Sequence, residues 1–151
     1  MYKRIVCPVD LSQRSFKSLP IAVKMADTFK AKLIVLHIVE TFLSEQETIM
    51  LRVSSEHYQQ VQKQKALEVK DTINQNLDKL GISSDNIDIV LREGSPRHDI
   101  ADLSKKLGAD LIILTTTGRD HLMENIIGST AEAVLRRAKV SVMTVFADDL
   151  A

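Results

Sequence analysis

The residues from Thr115 to Thr130 (TTTGRDHLMENIIGST) are of the types that handle anions. Gly118 and Gly128 let backbone N–H groups approach a ligand with no β-carbon in the way. Arg119 offers a planar fork for phosphate oxygens. Ser129 and Thr130 open an amphipathic segment, where a helix N-terminus presents unpaired N–H groups and the positive end of its dipole. An apolar run precedes the stretch, so its setting is strand, loop, helix. It is neither a GxxxxGK[ST] loop nor a GxGxxG fingerprint. Asp10 closes the first apolar run of the chain, where its carboxylate can cap the helix that follows.

Other reactive residue types carry less. His37, His57, His98 and His121 show no metal-ligand spacing, and one cysteine cannot build a zinc cluster. Cys7 lies inside an apolar run and reads as a small buried residue. No G-x-S-x-G elbow is present. No general base or lysine clamp stands beside the glycine loop, so any hydrolysis of a bound nucleotide is expected to be slow. Arg136 and Arg137 close a helical segment, where cations complement the dipole.

Five short apolar runs must position these residues. They are Ile5 to Val9, Lys32 to Val39, Ile87 to Leu91, Leu111 to Leu114 and Val140 to Val145. The first, second and fourth are nearly unbroken aliphatic, as suits parallel strands covered on both faces. Helical spacing fills the gaps. Ala66, Val69, Ile73, Leu77 and Leu80 share a face, with Gly81 as the stop; Ile100, Leu103, Ser104 and Leu107 repeat the pattern before Gly108. Ser95-Pro96 predicts a helix start, and Ser129 with Glu132 a capping box. Phe16, Leu19, Val23 and Ala26 share a face interrupted by Pro20, so that helix either kinks there or starts near Ser18. Residues 41 to 65 are polar and predict a loop grading into a long helix. Strand–helix alternation implies a mostly parallel sheet with right-handed crossovers.

The 151 residues fit one domain, 1–151, and 44% are apolar. Twenty basic residues balance twenty acidic ones, which argues against a nucleic-acid partner. No run is long enough for a membrane span. The chain enters strand-like sequence at once, without the pattern of a signal peptide. With one cysteine as well, these features predict a cytoplasmic protein.

Several segments in order resemble the universal stress protein family. Gly118, nine residues, then Gly128-Ser129 is similar to the later part of its G-x2-G-x9-G-[ST] motif. Val6-Cys7-Pro8-Val9-Asp10-Leu11-Ser12 resembles its opening strand, and Leu36-His37-Ile38-Val39 its second. Glu93-Gly94-Ser95-Pro96 is similar to its G-x-P turn, and Gly108-Ala109-Asp110-Leu111-Ile112-Ile113 to its GADLIV segment. The resemblance covers almost the whole chain. It implies an open five-stranded parallel sheet of order 3-2-1-4-5 with helices on both faces. It further implies a stress-response regulator that binds ATP or a related adenine nucleotide, with Mg2+ as a candidate companion. The implied nucleotide residues are Pro8, Val9, Asp10, Ile38, Val39, Thr115, Gly118, Arg119, Gly128, Ser129 and Thr130. Thr115 stands where the family has its first motif glycine, and a β-carbon there can narrow the approach. If the side chain interferes, the alternative is a nucleotide-independent dimeric module on the same fold.

In that strand order the fifth strand is an edge. Lys139 to Phe146 is apolar and lacks a blocking proline, and bare edges invite pairing. A homodimer through strand five follows, with Val140, Val142 and Thr144 on one face of the strand.

Overall fold

The computed structural model describes residues 1–40, 45–50, 52, 54–116 and 127–147. Five strands form one parallel sheet: β1 (Arg4–Pro8), β2 (Lys32–Val39), β3 (Ile87–Glu93), β4 (Leu111–Thr116) and β5 (Ser141–Phe146). Their order is β3-β2-β1-β4-β5, as the resemblance implies. The helices are α1 (Gln13–Phe16), α2 (Leu19–Phe29), α3 (Glu45–Met50), α4 (Ser55–Lys79), α5 (Pro96–Lys106) and α6 (Ser129–Arg137).

Alternation along the central strands sorts the core into two layers. Ile5 and Cys7 of β1, Leu33 and Val35 of β2, and Leu111 and Ile113 of β4 face one side. There they meet Phe16, Leu19, Ala22 and Ala26, with Ile73 and Leu77 of α4. Val6, Ile34, Leu36, Ile112 and Leu114 face the other side, against Ile100 of α5 and Ala131 and Val134 of α6. Burying each large aliphatic side chain contributes about 1.5–3 kcal/mol. Because both faces are covered, these strands carry no polar alternation.

The helix starts depart from the sequence reading in instructive ways. The Pro20 ambiguity resolves into two helices: α2 takes Ser18 as its N-cap position, with the proline in its first turn. The preceding turn, α1, is capped by Ser12, whose hydroxyl accepts from the N–H of Ser15. Asp10 is therefore not the cap. The capping box at Ser129 does not form either. Gly128 holds the N-cap position, Ser129 is the first helical residue, and Glu132 pairs instead with Arg136 at 2.9 Å. Ser95 does stand at the N-cap of α5, but its hydroxyl makes no cap bond; the Asp99 carboxylate accepts from the Ser95 N–H at 2.7 Å. Val140 precedes β5, which begins at Ser141. Gly81 and Gly108 follow α4 and α5 as expected, at φ +68° and +74°. No helix among the described residues is long and apolar enough to cross a membrane.

Candidate functional site

The sheet order reverses between β1 and β4, and open α/β sheets bind ligands beyond the strand ends at such a point. A cleft of about 490 Å3 opens there. Its floor is apolar: Pro8, Leu36, Ile38 and Leu114 from three strands, and Ile100 from α5. One wall is the turn after β1, with Val9, Asp10, Ser12, Arg14 and Ser15. The facing wall is Thr115 and the start of α6, with Gly128, Ser129 and Thr130. Gly128 is buried, while Ser129 is exposed. A second depression of about 420 Å3 adjoins the first through Asp10, Ile38 and Pro96, and Val39 lies there with His37 and Glu68.

Eight of the expected residues thus share one cleft: Pro8, Val9, Asp10, Ile38, Thr115, Gly128, Ser129 and Thr130. Val39 sits next door, its carbonyl accepting from the Gly94 N–H at 3.0 Å. Gly118 and Arg119 lie outside the described residues. Thr115 continues β4, paired in register with Val145, and its φ is not positive. The residue fits the strand without strain, and its side chain joins the cleft lining.

The turn after β1 is held by a serine ladder that sequence reading overlooked. Asp10 Oδ1 accepts from both the N–H and the hydroxyl of Ser12. The Ser15 hydroxyl donates to the Ser12 carbonyl at 2.9 Å and accepts from the Asp10 N–H at 3.2 Å. The Ser18 hydroxyl donates to the Ser15 carbonyl at 2.8 Å, and the buried Cys7 Sγ lies 3.3 Å from Ser18 Oγ. The i, i+3 recurrence of Ser12, Ser15 and Ser18 was the available signal. Within this turn Leu11 adopts φ +68°, a left-handed conformation that costs a branched side chain roughly 1–2 kcal/mol. The Asp10–Ser12 bonds bracket Leu11, and its side chain packs on the core. From β2, His37 Nδ1 lies 2.8 Å from the Val9 carbonyl and ties the same turn to the sheet.

Burial raises the Asp10 carboxyl, but bonds from the Ser12 hydroxyl and N–H, from Ser15 and from its own N–H outweigh it and hold the group below its ordinary value. An anion at neutral pH results. A carboxyl whose folded pKa is depressed stabilises above its unfolded value, near 3.9, and loses that contribution as pH falls through the folded value. Asp10→Asn should therefore lower the urea midpoint more at pH 7 than at pH 3; a deficit that does not vary with pH would refute this account. Burial pushes the Cys7 thiol up to about 12, with the Ser18 contact opposing it, so the sulfur is no nucleophile. Among the described residues no group of three or more His, Cys, Asp or Glu could hold a metal.

A doubly covered parallel sheet of order β3-β2-β1-β4-β5, with a cleft at its reversal point, defines an open-sheet α/β protein. The universal stress protein family model matches residues 1–145, and the chain belongs to that family. It is 28% identical to a universal stress protein of Methanocaldococcus jannaschii, over 96% of this chain and 82% of the relative. Among solved structures, universal stress protein UspA from Lactobacillus plantarum superposes with a TM-score of 0.71 at 25% identity, covering 95% of this chain and 97% of that one. A universal stress protein in complex with cAMP superposes at 0.64 and 21% identity, covering 97% and 98%. At that identity the second likeness concerns the fold.

Proposed function

We propose that this universal stress protein binds ATP or a related adenine nucleotide in the cleft between β1 and β4, and that the ligand biases its shape or its choice of partners. The observation that carries the reading is the convergence of Asp10, Gly128, Ser129 and Thr130 on one opening at the sheet reversal. The triphosphate belongs over the N-terminus of α6, where Gly128 leaves the backbone bare and Ser129 and Thr130 add hydroxyls. The family resemblance assigns Gly118 and Arg119, which lie outside the described residues, to the same phosphates, with Mg2+ as a candidate companion of the ligand. Adenine and ribose belong against Pro8, Val9, Ile38 and Val39, with Asp10 as acceptor. The cAMP complex of a structural relative supports this choice of ligand class.

The protein is read as a cytoplasmic binder with, at most, slow turnover. Asp10 and Arg14 are the ionisable residues lining the cleft among those described, and Asp10 is already engaged by Ser12. A proton acceptor free to activate water is not among them. The second reading is a nucleotide-independent dimeric module, which the Thr115 side chain in the lining favours. Pairing of β5 with its copy belongs to both readings.

Titration calorimetry with ATP and magnesium separates them. Wild-type protein should bind at or below millimolar ATP, and Gly128→Val should weaken binding at least about tenfold by filling the lining, an effect of about 1.4 kcal/mol. No heat at millimolar ATP would leave the dimeric module standing. Binding unchanged in Gly128→Val would place the ligand elsewhere.

A further inference from the structure

Among its described lining residues the cleft has one positive charge, Arg14, which sequence reading did not find. Arg14 lies in α1, a four-residue helix that packs against β4, and its side chain lines the opening across from Gly128, Ser129 and Thr130. Arg14 is exposed, and its guanidinium has no hydrogen-bond or ion-pair partner among the described residues. Among the described lining residues the one carboxylate, Asp10, is bound to Ser12 and does not pair with it. Two other basic side chains of the described residues are committed. Lys17 Nζ donates to the Ala147 carbonyl at 2.9 Å, and Arg136 pairs with Glu132. Among the described residues the opening thus has a guanidinium without a partner on one wall, and on the other the N-terminus of α6, which receives no side-chain cap bond. A single helix turn gains little from a cation in its last turn, so α1 itself does not account for the placement.

We propose that Arg14 is the specificity-determining residue of this cleft: it closes on the phosphate groups from the β1 side and sets the preference for phosphorylated over unphosphorylated nucleosides. The inference rests on the nucleotide reading above and adds to it a residue outside the glycine motif. A guanidinium forms paired, charge-assisted bonds to phosphate oxygens. The opposing N–H groups of α6 would take the remaining oxygens, so the phosphate is held from both walls. A neutral nucleoside would meet only the apolar floor and Asp10 and would gain nothing from Arg14.

The test compares ATP and adenosine as calorimetric probes on wild type, Arg14→Gln and Arg14→Lys. Arg14→Gln should weaken ATP roughly ten- to a hundredfold, the range expected for a lost charged hydrogen bond. Adenosine affinity should stay within about twofold, which also reports that the cleft remains folded. Arg14→Lys should recover part of the ATP affinity, since charge returns without the fork. ATP binding with an ATP-to-adenosine ratio unchanged in Arg14→Gln overturns this inference alone. Equal losses for both ligands overturn it too, because they would show a structural role. Absence of ATP binding to wild type overturns both this inference and the nucleotide reading.

Discussion

Gly94→Ala should lower the melting temperature by roughly 5–25 °C, given about 2–4 °C per kcal/mol for a chain of this size. Gly94 links β3 to α5 at φ +153°, a backbone state closed to side-chain-bearing residues. Its N–H donates to the Val39 carbonyl at 3.0 Å, so the chain has little freedom to relax. An added β-carbon would fall on Asp99 Oδ2 and lie 3.3 Å from Asp99 Cγ. That carboxylate accepts from the Ser95 N–H, the bond that organises the start of α5. Backbone strain of about 1–3 kcal/mol and a lost charged hydrogen bond of about 1.5–3 kcal/mol together predict roughly 2.5–6 kcal/mol. Gly81→Ala provides the control. Gly81 has φ +68°, but nothing lies within 4 Å of the added carbon, so only left-handed strain of about 1–2 kcal/mol applies. Thermal denaturation of the two variants side by side decides the matter; equal losses would disprove the clash with Asp99.

Light scattering at tens of micromolar should find twice the chain mass. β5 is a sheet edge, and Val142, Met143 and Thr144 are only partly buried. A two-fold axis would pair β5 antiparallel with its copy and satisfy the outward backbone groups of both chains. Successive residues of a strand point their N–H groups to opposite sides. Of Val142→Pro and Met143→Pro, one therefore strikes the ladder to β4 and the other the outer edge. One variant should give a folded monomer by circular dichroism, the other a destabilised protein. Monomeric wild type, or a dimer indifferent to both prolines, would rule out this interface.

The sheet was legible because β1, β2 and β4 are buried on both faces and leave no doubt in their composition. Strand ends were less so. Thr115 and Thr116 extend β4 beyond the aliphatic run, and Arg92 and Glu93 extend β3, because main-chain pairing to β5 and β2 continues after the apolar residues stop. Asp10 and Gly128 were found from motif and position, and both line the cleft. Arg14 was missed because periodicity reports which face a residue occupies, not how far a long side chain reaches. The capping box at Ser129 failed because Gly128, with extended backbone, meets the N-cap requirement one residue earlier, and Glu132 finds Arg136 a turn away. Ser12 was read only as part of a resemblance, yet its hydroxyl both caps α1 and fixes Asp10.

The serine ladder ends at the chain's one cysteine. Its other end is the carboxylate at the lip of the cleft. The sulfur is therefore a built-in reporter. It is a single atom, spectroscopically unlike any other in its surroundings, joined by a few directional bonds to the place where a ligand would rest. Signals from that thiol would register order at the lip without any label being introduced.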